Sequence, residues 1–141
     1  HLPWVRHPEH EEFLEEDWLY EAITECYIPL LKMLRRMVTE KIPLKITFTL
    51  TPSLCAMLRD PLLQKRAERY LERGYELARM EIDRTANDAA LNGIARHYQH
   101  VFRESLDFYQ KEINRDIVGA FAQLQKDGII EIISELAEHG L

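Results

Sequence analysis

The segment Leu44-Lys45-Ile46-Thr47-Phe48-Thr49-Leu50 alternates strictly between apolar and polar side chains and is rich in β-formers, the pattern of a strand. One other stretch, Ile129-Ile130-Glu131-Ile132-Ile133-Ser134, reads the same way; it is mostly apolar, as a strand covered on both faces is. Everything between them has helical periodicity. Strand, several helices, strand is the grammar of an α/β sheet, so the expected fold class is α/β and helix-rich. Two strands do not make a sheet that stands alone. Further strands are therefore expected outside this sequence, or the chain folds with a partner. Residues 1–141 contain no internal repeat or low-complexity linker, and their length suits one domain.

The helices can be placed from their ends. His1-Leu2-Pro3-Trp4-Val5-Arg6-His7-Pro8 has two prolines and no period, which predicts an irregular loop. Glu11, Glu12, Glu15, Glu16 and Asp17 then precede Leu19, Ile23, Cys26, Leu30, Leu34 and Met37 at spacings of three and four. This predicts one amphipathic helix with a kink at Pro29, whose missing N–H removes a ladder bond. Thr51-Pro52 and Asp60-Pro61 each supply an N-cap and a first-turn proline, opening a short helix and a long one. Thr85-Ala86-Asn87-Asp88 breaks the long helix. A further helix carries Leu91, Ile94, Tyr98, Val101, Phe102, Leu106 and Tyr109, and the last runs from about Asp116 to the stop at Asp127-Gly128.

Charge and ends limit the function classes. A formal charge of −6 argues against nucleic acid or an anionic membrane as the main partner, since both reward a basic surface, and suits a neutral ligand. Nothing approaches the run of about 18 apolar residues of a membrane-spanning helix, and no signal peptide is visible. The two cysteines, Cys26 and Cys55, lie in apolar helical stretches and are expected to be buried, reduced thiols of a cytoplasmic protein. A start on His1 and an end on His139-Gly140-Leu141, directly behind an apolar run, are expected of an excerpt from a longer polypeptide.

Two clusters invite chemistry. The carboxylates from Glu11 to Asp17 suggest acid–base catalysis, but that requires a raised pKa and a fixed separation in a cleft. A solvated run matching the helix dipole is the simpler reading. His7-Pro8-Glu9-His10-Glu11-Glu12 fits no strong zinc spacing, and His97 with His100 lacks a third ligand in view, so both sets are expected to be surface histidines. No metal and no cofactor is expected.

Several segments, in order, resemble the family-57 glycoside hydrolases, most closely those of the 1,4-α-glucan branching type. His1-Leu2-Pro3-Trp4-Val5-Arg6 resembles that family's first signature, a His-x-Pro turn after an apolar strand. Glu15-Glu16-Asp17-Trp18-Leu19-Tyr20-Glu21-Ala22-Ile23-Thr24-Glu25, Tyr27-Ile28-Pro29-Leu30-Leu31, Thr49-Leu50-Thr51-Pro52 and Asp60-Pro61-Leu62-Leu63-Gln64 continue the likeness. Gly128-Ile129-Ile130-Glu131-Ile132-Ile133 followed by Ala137-Glu138-His139-Gly140 is similar to the second signature, a strand ending in Ala-Thr-His-Gly, with Glu138 in place of the Thr.

The resemblance implies that residues 1–141 are the helix-rich amino-terminal portion of an irregular seven-stranded (β/α) barrel. On this reading the first strand and the later segments with the catalytic carboxylates are not included. It implies an α-glucan as substrate, His1 and His139 in the pocket around the cleaved sugar, and Trp18 as an apolar face for a pyranose ring. The remainder of the parent polypeptide is then the chief partner. Against this stand two simpler expectations: a lone His at a strand end is usually a surface or capping group, and a Trp at a helix start usually belongs to the core. The rival function is a non-catalytic helical module that binds sugar or protein. An isolated piece with open sheet edges is expected to be marginally stable or to oligomerise.

Overall fold

The computed structural model describes residues 2–137. After the irregular loop come α1 (Leu14–Glu21), a π-helical turn (Ala22–Tyr27) and α2 (Ile28–Thr39). Strand β1 (Ile46–Thr49) leads into α3 (Pro52–Arg59), α4 (Pro61–Arg84) and α5 (Ala89–Asp107). A second π turn (Phe108–Glu112), α6 (Ile117–Lys126) and β2 (Ile130–Ile133) complete the order.

The two strands pair in parallel, with Ile46 opposite Ile130 and Thr49 opposite Ile133. One face meets the core: Ile130 is buried, Phe48 and Ile132 are half-buried, and the Phe48 ring lies 5.9 Å from that of Phe121 in α6. Contrary to the both-faces expectation for β2, Glu131 and Ile133 are exposed, and Ile133 keeps 49% of its surface. No described residue packs over that face to bury it. There Thr47 Oγ1 donates to Glu131 Oε2 at 2.8 Å, a cross-strand bond exposed to solvent.

The caps behave as the sequence demands. Thr51 Oγ1 accepts from the Leu54 N–H, Asp60 Oδ1 from Leu62 and Leu63, and Asp88 Oδ1 from Ala90 and Leu91. Each satisfies N–H groups that the first helical turn leaves unpaired. Gly128 stops α6 at φ 69, the left-handed conformation that suits glycine at this position.

The first long helix departs from expectation in an instructive way. The Ile28 N–H skips a residue and donates to Ile23 O, five back, so the wide turn forms just before Pro29. A continued π ladder would next need an N–H from Pro29, which has none, and the α ladder resumes. The extra residue rotates the buried stripe. Leu19, Tyr20 and Ile23 face the core before the turn, and Ile28, Leu31 and Leu34 after it. Cys26 is consequently exposed. Cys55, on α3, is half-buried; both are free thiols, which corrects the expectation of two buried ones.

Helices α4 and α5 form a long antiparallel hairpin. Asn92 ties its turn by donating to Ile82 O at 2.7 Å and to Thr85 Oγ1 at 3.3 Å. Gly74 permits the close approach of the two helices, because a Cβ there would overlap the Phe102 ring. Towards the turn the hairpin opens into a groove of about 540 Å³ lined by Leu77, Leu91, Ile94, Tyr98 and Phe102.

Candidate functional site

The loop ahead of α1 has no secondary structure of its own, yet it is fastened at several residues, among them Val5, Arg6, His7 and His10. The buried Val5 donates its N–H to Met57 Sδ of α3 at 3.4 Å, and Arg6 Nε donates to Asp60 Oδ2 at 2.6 Å. His7 donates its N–H to Glu16 Oε1 at 2.8 Å, and the carbonyls of His7 and His10 accept from Arg66. Burial alone would raise the Asp60 pKa. The Arg6 guanidinium and the N–H groups of Leu63 and Leu62 outweigh it and hold the carboxyl below its ordinary value.

The centre of this fastening is Glu16. Its side chain is 1% exposed; Arg66 Nη1 donates to both carboxylate oxygens at 2.7 Å, and Tyr20 Oη donates to Oε2 at 2.7 Å. Burial, followed by the hydrogen bond to Glu16, pushes the Tyr20 hydroxyl well above the ordinary tyrosine range. The acidic run is therefore not uniformly solvated, as its composition suggests. Glu11, Glu12 and Asp17 do remain at the surface or half-buried, and burial raises Asp17 against the opposing pull of Arg73. Glu16 was detectable in the sequence: it precedes Leu19, Tyr20 and Ile23 by three, four and seven residues, on the core stripe of the helix. Arg66 gives a weaker signal, sitting between Leu63 and Ala67 on the buried side of α4.

Both oxygens of Glu16 are engaged and shielded, so it is unsuited to nucleophilic or acid–base work. His7 is half-buried and stacks on Phe13 with centroids 3.7 Å apart, so it packs the loop and is not a plain surface histidine; His10 stacks on the same ring at 5.2 Å but is exposed, as expected. His97 and His100 are exposed, and His100 Nε2 lies 3.2 Å from Glu104. Among the described residues no group of three or more His, Cys, Asp or Glu could hold a metal ion.

Of the residues singled out for sugar contact, Trp18 lies on α1 with 48% of its surface exposed, so it is not a core tryptophan. Trp4, on the loop, is 55% exposed. His1 and His139, and Glu138 beside the latter, lie outside the described residues. At the carboxyl ends of the strands, Leu50 donates its N–H to Ile133 O at 3.1 Å and Ser134 Oγ donates to Leu50 O at 3.1 Å. These bonds continue the pairing one step past the sheet and set the direction in which the chain leaves β2.

Comparison with known proteins addresses the whole chain. The family model described as glycosyl hydrolase family 57 matches residues 1–141. The chain is 36% identical over 140 residues to a 1,4-α-glucan branching enzyme of Thermococcus kodakarensis, covering 99% of this chain and 20% of that protein. It is also similar in structure to a GH57-type branching enzyme of Pyrococcus horikoshii, with a TM-score of 0.91, 31% identity, and coverage of 99% of this chain and 26% of that one. An α-amylase of Thermotoga maritima gives a TM-score of 0.87 at 38% identity, covering 95% of this chain and 25% of its own. The chain thus spans only a fifth to a quarter of the length of these relatives. Its likeness runs unbroken from the loop to β2, and the chain belongs to glycosyl hydrolase family 57.

Proposed function

We propose that residues 1–141 are the amino-terminal part of the catalytic domain of a 1,4-α-glucan branching enzyme, acting on amylose- or glycogen-like glucan in the cytoplasm. The observation that carries this reading is the 36% identity to a branching enzyme along 99% of the chain. The small parallel sheet with its helices is then one part of the family's irregular seven-stranded (β/α) barrel, whose sugar-binding groups sit at the carboxyl ends of the strands. The reaction is a retaining double displacement. Two carboxyl groups about 5–5.5 Å apart form and resolve a glycosyl-enzyme intermediate, with the 6-hydroxyl of a second glucan replacing water in the second step. No described residue here is assigned either carboxyl role; later segments of the parent supply them. The role of this chain is binding. Trp18 offers an apolar ring face to a pyranose, while His1 and His139 offer imidazole donors and acceptors to sugar hydroxyls.

The test is to incubate the full-length protein carrying this chain with amylose and count the linear chains that a debranching enzyme then releases, one for each α-1,6 linkage. New branches support the reading. Shortened linear chains with no new branch would replace it with an α-amylase, a second reading favoured by the 38% identity to the Thermotoga maritima enzyme.

A further inference from the structure

The geometry points to Glu16 and Arg66 as positioning residues for glucan binding, acting through the two segments they join; this rests on the glucan-enzyme reading above. A buried ion pair is a poor choice if the only task is to hold α1 against α4, since a matched apolar pair does that at least as well. What an apolar pair cannot do is hold the polar backbone of a loop. Glu16 accepts the His7 N–H, and Arg66 donates to the carbonyls of His7 and His10, so three main-chain groups of the loop end on this one pair.

The placement of the tryptophans gives the pair its consequence. The chain has two, one on each of the segments so joined. Trp4 lies three residues before His7, and Trp18 two residues after Glu16; each is about half exposed. Glu16 and Arg66 are too buried to meet a sugar themselves, with side chains 1% and 10% exposed. They fix the backbone from which exposed aromatic faces project, and a face held in its bound position loses less freedom when a ligand arrives.

The test uses the full-length protein and separates stability from binding. Arg66→Lys keeps a charge opposite Glu16, but a single ammonium lacks the guanidinium fork needed to serve the carboxylate and two carbonyls together. KM for amylose is expected to rise about tenfold with kcat changed less, while the melt stays cooperative. Faster hydrogen exchange of the His7 amide should accompany it. Glu16→Gln, which retains an acceptor for that amide but drops the charge, should raise KM as well and stands in if the lysine variant does not fold. Arg79→Ala, which removes an exposed pair with Glu76 on the same helix, should leave both constants alone. Unchanged KM in the folded Arg66 or Glu16 variant, with KM raised by Trp18→Ala, overturns the positioning role alone. Unchanged KM in Trp18→Ala overturns the glucan contact on which the role depends.

Discussion

Arg66 and Glu16 face each other across α4 and α1 with Nη1 2.7 Å from each carboxylate oxygen. The pair is nearly dry, and each partner is the other's counter-charge. Removing one therefore strands a buried charge. Arg66→Met should lower unfolding stability by about 3–5 kcal/mol, and Glu16→Met/Arg66→Met together should recover much of that loss. Urea midpoints of the two single variants and the double variant check the non-additivity.

Acid sensitivity should concentrate at two carboxylates. The Asp60 pKa is held down because Arg6 and two helix N–H groups outweigh its burial. The Glu68 pKa is lowered first by its hydrogen bonds from Arg115, with burial opposing and Gln110 assisting. A depressed folded-state pKa means stabilisation that is complete above the ordinary carboxylate value and is lost as pH falls from there towards the depressed one. Melting temperature should therefore drop as pH is lowered below about 4.5. Arg115→Gln should shrink that drop while lowering stability at neutral pH.

The thiols should react unequally. Cys26 is exposed, whereas Cys55 is half-buried with its thiol pushed up by burial. A disulfide reagent at pH 8 should modify Cys26 faster by about tenfold, leaving a slow second phase that Cys55→Ser removes. Two equal rates would contradict the rotated stripe of the first helix.

Two of the helical glycines, Gly93 and Gly74, should respond with opposite signs. Gly93→Ala meets nothing within 4 Å and should stabilise by about 0.5–1 kcal/mol through helix propensity. Gly74→Ala overlaps the Phe102 ring, and the overpacking of about 1–3 kcal/mol should exceed the same propensity gain. Thermal melts of the two variants decide both signs.

Helix starts and both strands were legible because their signals are local. Thr51-Pro52, Asp60-Pro61 and Asp127-Gly128 act within one turn of where they stand, and the structure uses each as expected. The first helix departs from its sequence pattern where local rules compete. Spacings of three and four run smoothly through Cys26 and Leu30, but Pro29 makes a five-residue step the better accommodation, and the stripe passes to Ile28 and Leu31. Composition also hid Glu16, since a carboxylate among four others looks solvated until its register against Leu19 and Ile23 is counted. Leu91, Ile94 and Tyr98 show the converse. Their periodicity marks a helix face correctly, yet each remains about half exposed, because amphipathicity names the face to be covered and not the cover. The likeness to family 57 was carried by segments spread along the whole chain, and the full-length match of the family model agrees with it. Of the three residues proposed for sugar contact, only Trp18 falls within residues 2–137.

The pairing of β1 with β2 has a consequence for synthesis. Thr47 meets Glu131 across a separation of 84 residues, whereas the α4–α5 hairpin closes around a single turn. At about 5–20 residues per second, a ribosome needs roughly 4–17 s after making β1 to complete its partner. Helices form within microseconds, so the α4–α5 hairpin is built while β1 still waits for β2. The polar face of β1, Thr47 and Thr49, helps during that interval to discourage pairing with a neighbouring nascent chain.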